Sequence, residues 1–182
     1  MSNRRGRVSL PWATERPPTF YDWRNFMSET AELAEKLKTE GERMAQFFAE
    51  LTDEQWTREV YTEGTTWSIR NVLSHYVTSE RGLTRLFENI RTTGKGASDD
   101  FSIDRYNAAQ QEKTKDLTPA ELLERYKQTR AESVQWVSGL KDEELDIKGR
   151  HPFLGETVIR EMVKMLYLHN QLHYRDVKRA LR

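Results

Sequence analysis

From Tyr21 to the end of the chain, apolar residues recur at steps of three, four and seven, and no stretch alternates for long enough to compete as a strand. This periodicity confines the chain to an all-α architecture. Phe26, Leu33, Leu37, Met44, Phe47, Phe48 and Leu51 form the stripe of a first helix, interrupted mildly by Gly41. A second helix opens after Ser68, a residue suited to cap it, and carries Ile69, Val72, Leu73, Tyr76, Leu83, Phe87 and Ile90 before the turn RTTGKG. Thr118, Pro119 and Glu121 supply an N-cap, a first-turn proline and a capping-box acid for a third helix, which Gly139 ends. A fourth begins near Glu156 or Thr157, after HPFLG, and runs toward the C-terminus through Val158, Met162, Met165, Leu166, Leu172 and Val177. Four long helices predict a four-helix bundle over residues 21–182.

Pro11, Pro17 and Pro18 set residues 1–20 apart as an irregular N-terminal arm, because proline removes a backbone donor and turns the preceding residue away from the helical region. The joints constrain the topology. Roughly fifteen residues separate the first two helices and about twenty-five the next two, beyond the two to eight usual in bundles. A joint that long can run back along a helix, so the second and third helices can be parallel, although FSIDRYNAAQQEK within it can form a short helix of its own.

Two of the four histidines lie four apart near the C-terminus, in LYLHNQLHYRDV. Positions i and i+4 share a helix face, with Cβ atoms about 6 Å apart. His169 and His173 both fall on the core side of the fourth helix, where a lone histidine is usually a hydrogen-bonded core residue and a pair at this spacing also suits a metal ion. His75 stands on the flank of the second helix in a column with Ser79 and Gly82, whose small side chains leave room beside it. It is about 9 Å from the start of that helix, while His173 and His169 are about 12 and 18 Å from the end of the fourth. Antiparallel packing brings the three to one level. Parallel packing separates them by about 9 to 15 Å, too far for a common ion. The chain has no cysteine, so any metal is held by nitrogen and oxygen.

The motif TTWSIRNVLSHYVTSE, followed much later by HPFLGETVIREMVKMLYLHNQLHYRDV, resembles the DinB-like superfamily over roughly residues 25–181. This superfamily includes bacillithiol transferases and the metal-binding domain of mycothiol-dependent maleylpyruvate isomerases. The specific parts of the resemblance are the Trp67-Ser68 pair before the second helix, one histidine within it, and H-x-x-x-H late in the last helix. It implies an up-down-down-up bundle with a divalent metal, zinc or nickel, on His75, His169 and His173, a low-molecular-weight thiol as a further cofactor, and a homodimer. Three imidazoles leave zinc an open position at which water or a thiol can be activated.

Glu80 and Asp176 are the carboxylates placed to orient a ligand or to act as acid or base; the plainer reading gives each an ion pair, with Arg175 or Lys178 for instance. Glu161 is a weaker case. His151, about 27 Å from His169 along a continuous helix, is expected to cap a loop and not to bind the metal. Trp56, Trp67 and Trp136 are expected to fill the core, and Trp12 and Trp23 to pin the arm or a partner subunit. No phosphate loop, H-E-x-x-H motif or nucleophile constellation is visible.

Lysine plus arginine and aspartate plus glutamate each number 29, so the chain has no net field. That balance predicts no nucleic-acid or membrane partner, and the enzyme reading implies a small-molecule substrate. Without an apolar segment of secretory or membrane-spanning type, a cytoplasmic location is expected. Three functions fit: a metal-dependent thiol S-transferase or hydrolase, a non-catalytic metal-stabilised homodimeric bundle acting through its surface, and an interaction protein without metal.

Overall fold

The computed structural model describes residues 27–182. The expected arm at 1–20, with Trp12, and the expected start of the first helix at Tyr21, with Trp23 and Phe26, lie outside the described residues. Helix α1 (Glu29–Ala49) begins where the Ser28 hydroxyl accepts from the Ala31 N–H. A single turn, α2 (Asp53–Trp56), leads into a two-stranded antiparallel ribbon of β1 (Glu59–Tyr61) and β2 (Trp67–Ser68). The ribbon runs directly into α3 (Ile69–Thr93), which ends at Gly94 in the left-handed conformation that glycine adopts without steric penalty.

The long joint that follows contains α4 (Ile103–Thr114), the short helix legible in FSIDRYNAAQQEK. Helix α5 (Pro119–Ser138) starts at a complete capping box between Thr118 and Glu121, a feature worth about 1 kcal/mol. A 3-10 turn at Asp142–Asp146 precedes an antiparallel hairpin of β3 (Lys148–His151) and β4 (Gly155–Val158), and α6 (Ile159–Ala180) completes the chain. The predicted start of the fourth helix at Glu156 or Thr157 is therefore corrected: those residues pair across the hairpin with Arg150 and Gly149. The two ribbons also correct the expectation that no strand competes. They are too short for alternation to register, and backbone pairing holds them.

Side-chain partners fix the direction of each helix. Along α3 and α5, Tyr76 meets Tyr126, Glu80 meets Arg130, Thr84 meets Ser133 and Glu88 meets Trp136, so these two helices are parallel. Helices α1 and α6 are parallel too, since Glu29 pairs with Arg160 and Phe47 with Tyr174. Across α3 and α6 the order reverses: the Tyr76 hydroxyl donates to the Asn170 carbonyl, while Phe87 and Ile90 share a cluster with Ile159 and Met162. Leu37 and Val137 lie in that cluster, whereas Met44, Phe48, Leu122 and Tyr126 fill the other, so α1 opposes α5. The result is a four-helix bundle in up-down-down-up order, its core split into two apolar layers. Between them sits the buried ion pair of Glu80 and Arg130, 2.7 Å apart. Among the described residues no helix is long and apolar enough to cross a membrane.

Candidate metal centre

Antiparallel α3 and α6 bring three histidines to one level. Nε2 of His169 lies 3.1 Å from Nε2 of His75 and 2.9 Å from Nε2 of His173, and one ligand atom from each residue falls within 4.8 Å of the others. Three nitrogens on a tetrahedral zinc are about 3.3 Å apart, so this spacing fits a single small ion. The donor set suits zinc, nickel and other first-row metals that accept imidazole.

The hydrogen bonds around His173 define which of its nitrogens is free. The Tyr61 hydroxyl donates its one proton to Asp176 at 2.9 Å, and the same oxygen lies 2.6 Å from Nδ1 of His173. His173 must therefore donate from Nδ1–H to Tyr61, which leaves the lone pair on Nε2, facing the other two rings. Burial and Asp176 raise the Tyr61 phenol, keeping it protonated in this relay. Burial lowers all three histidines. His75 falls well below its ordinary range through burial and then through His169 and His173, with Asn107 on α4 opposing, and His169 falls to about 3. His173 falls less because Asp176 favours its charged form. Neutral imidazole is the form that ligates metal.

The triad borders a cleft of about 720 Å³ between α3, α4, α6 and the two ribbons. Trp67 lines it and packs on His75 with ring centroids 5.0 Å apart, half-buried against one apolar layer; Trp136 is likewise half-buried, on Phe87 of the other layer, and Trp56 is buried on Phe48. The room expected beside Gly82 is taken by Tyr106, whose hydroxyl comes against the glycine and donates to the Thr78 carbonyl.

The two carboxylates part company. Asp176 lines the cleft and reaches His173 through Tyr61, and its other oxygen pairs with Arg179, not with Arg175 or Lys178. Glu80 does not reach the histidines. It faces α5, paired with Arg130, and burial pushes its carboxyl up against the pull of that guanidinium. Its position is that of the ion-pair reading, with a partner that was not foreseen, although Arg130 interrupts the apolar face of α5 between Tyr126 and Val137. Glu161 pairs with Lys164 on the surface. His151 is not distant from the triad: the chain between it and α6 is a hairpin, not a helix, and the hairpin returns the ring to the same cleft as His169.

The fold is that of known structures. YfiT from Bacillus subtilis, described as a probable metal-dependent hydrolase with an unusual four-helix bundle topology, matches with a TM-score of 0.64 at 15% identity, over 91% of this chain and 90% of that one. The colibactin self-resistance protein ClbS, in a structure with double-stranded DNA, matches with a TM-score of 0.62 at 16% identity, over 85% of this chain and 94% of its own. No curated protein matches the sequence. ClbS overturns the expectation, drawn from a net charge of zero, that such a chain has no nucleic-acid partner. Net charge ignores placement: Arg43, Arg175, Lys178, Arg179 and Arg182 border one concavity beside a single acid, Glu40. The model of the DinB superfamily matches residues 9–177, nearly the whole length, and the chain belongs to that superfamily.

Proposed function

We propose that this protein is a metal-dependent enzyme in which His75, His169 and His173 hold one divalent ion, zinc or nickel, at the side of an apolar substrate cleft. The reaction is hydrolysis or transfer to a low-molecular-weight thiol. The observation that carries this reading is the convergence of three neutral Nε2 atoms, with His173 oriented by Tyr61 and Asp176. The likeness to YfiT supports hydrolysis as the first reaction to test.

Bound there, a divalent ion on three nitrogens supplies an open position that acidifies a water or thiol and polarises a carbonyl. The chain supplies the rest. Asp176 accepts a hydrogen bond from the Tyr61 hydroxyl, which holds His173 in the ligating tautomer and raises its basicity as a donor. Trp67 covers one side of His75 and keeps bulk water from that ligand. The apolar walls of the cleft bind the body of the substrate, and this burial directs its reacting group to the triad.

Turnover of apolar esters and of thiol acceptors by metal-free, zinc-loaded and nickel-loaded protein tests the reading. Activity that needs the ion and disappears in His169→Ala supports it. Stoichiometric metal with no turnover of any ester or thiol would replace it with the non-catalytic, metal-stabilised bundle.

A second reading rests on the basic concavity of α1 and α6, whose charge suits a nucleic-acid backbone, and is supported by the likeness to ClbS, whose structure is a complex with double-stranded DNA. Binding of duplex DNA that weakens with salt and is lost when Arg175 and Lys178 become glutamate supports it; no binding at low salt removes it.

A further inference from the structure

His151 comes to the cleft on an element the triad does not use, as the last residue of β3, and is 2% exposed. Its Nδ1 accepts the backbone N–H groups of Phe153 and Leu154, each at 3.1 Å. A ring nitrogen that accepts hydrogen bonds carries no proton, so the neutral ring carries its proton on Nε2. That tautomer also bars His151 from ligating an ion, because its lone pair is committed to the turn. Nε2 is buried and has no hydrogen-bond partner among the described residues. The two other side-chain atoms in that condition, Glu80 Oε1 and Arg130 Nε, belong to the core ion pair.

The rest of the lining shows what such a donor awaits. Leu83, Leu86, Phe101, Ile103 and Met165 make the walls apolar. Two charged side chains stand there: Asp176, already engaged by Tyr61 and Arg179, and Arg85, which makes no ion pair among the described residues. Among the polar groups of the lining, the buried His151 N–H and the Arg85 cation stand without a hydrogen-bonding or charged partner among the described residues, and the complement of these two is an anionic oxygen on an apolar body.

We propose that the cleft takes an apolar organic carboxylate, with His151 Nε2–H donating to a carboxylate oxygen and Arg85 attracting its charge. This rests on reading the cleft as the substrate site and makes His151 a specificity-determining residue; it does not require the ion.

Binding of phenylbutanoate and of phenylbutylamine to metal-free protein, followed by tryptophan fluorescence and calorimetry, tests it. The acid is expected to bind at least about 10-fold more tightly than the amine. His151→Asn keeps an acceptor for the turn but has nothing at the Nε2 position; it is expected to lose about 10- to 100-fold in carboxylate affinity with its melting temperature preserved. His151→Gln, whose amide reaches that position, recovers part of the loss. In nitrogen-resolved NMR of the unaltered protein, the His151 Nε2–H resonance moves on adding the acid. Equal affinity for acid and amine, an unmoved resonance, or unchanged carboxylate affinity in His151→Asn overturns the proposal. Carboxylate binding through His151 without metal-dependent turnover leaves this proposal standing and removes the enzymatic reading. Turnover with unchanged affinity in His151→Asn does the reverse.

Discussion

The phenol oxygen of Tyr61 lies 2.6 Å from Nδ1 of His173, joining a two-stranded ribbon to the last helix. Because the protonated phenol donates its hydrogen bond to Asp176, the contact decides the His173 tautomer and so the direction of its lone pair. Tyr61→Phe removes this control without emptying the space. Metal affinity, measured by competition with a chromogenic chelator, is expected to fall about 10- to 100-fold while the melting temperature of the metal-free protein stays within a few degrees. Unchanged affinity would dissociate the relay from the ligands.

Glu80 and Arg130 act on stability and not on the centre. Removing one member leaves the other charge buried, so Glu80→Ala is expected to cost about 3 to 5 kcal/mol in urea unfolding. Metal bound per folded chain stays the same. Replacement of both by apolar residues of similar volume recovers much of the loss, and a weakened metal site in the double variant would contradict this division.

Gly82 lets α4 close on α3. A methyl group there would strike the Tyr106 hydroxyl, so Gly82→Ala is expected to destabilise by about 1 to 3 kcal/mol. Tyr106→Phe removes the obstructing oxygen, and the penalty of the alanine is smaller in that background. An equal penalty in both backgrounds, read from chemical denaturation, would place the strain elsewhere.

Burial pushes His151 from the ordinary histidine range down to about 4. The folded protein keeps the ring neutral while the unfolded chain takes up a proton below about pH 6.5, so this stabilisation is complete above that pH. It is lost as the pH falls toward 4, for a total of about 3 kcal/mol. Urea unfolding of metal-free protein across this range is expected to show a loss to which the three lowered triad histidines also contribute, and His151→Asn to make that loss smaller by this amount. A slope identical in the variant would assign the effect to other groups.

Residues that announce helices were legible in the sequence: Ser68 and the Thr118-Pro119-Glu121 box mark the observed starts of α3 and α5. The triad was legible too, because i,i+4 spacing on one helix and a level count on another need only helical geometry. What the short ribbons deliver was not. Tyr61 reaches His173 across 112 residues, with only the β-branched and aromatic stretch VYTEGTTW around Glu63-Gly64 to suggest a turn between strands. The place of His151 depends on a hairpin where helical spacing predicts a continuous helix, and Gly155, at a φ of +73°, is the residue in the sequence that fits such a turn. The partner of Glu80 is not marked in the sequence, because Arg130 lies 50 residues away on another helix and no local spacing links the two.

The central claim is one divalent ion on His75, His169 and His173. Elemental analysis of protein purified without a histidine tag and loaded with zinc or nickel tests it most directly. The expected result is one ion per chain, lost in His169→Ala and in His75→Ala, both of which keep the helical signal of the bundle. No ion above background in the unaltered chain, or full retention after removal of either ring, would contradict it.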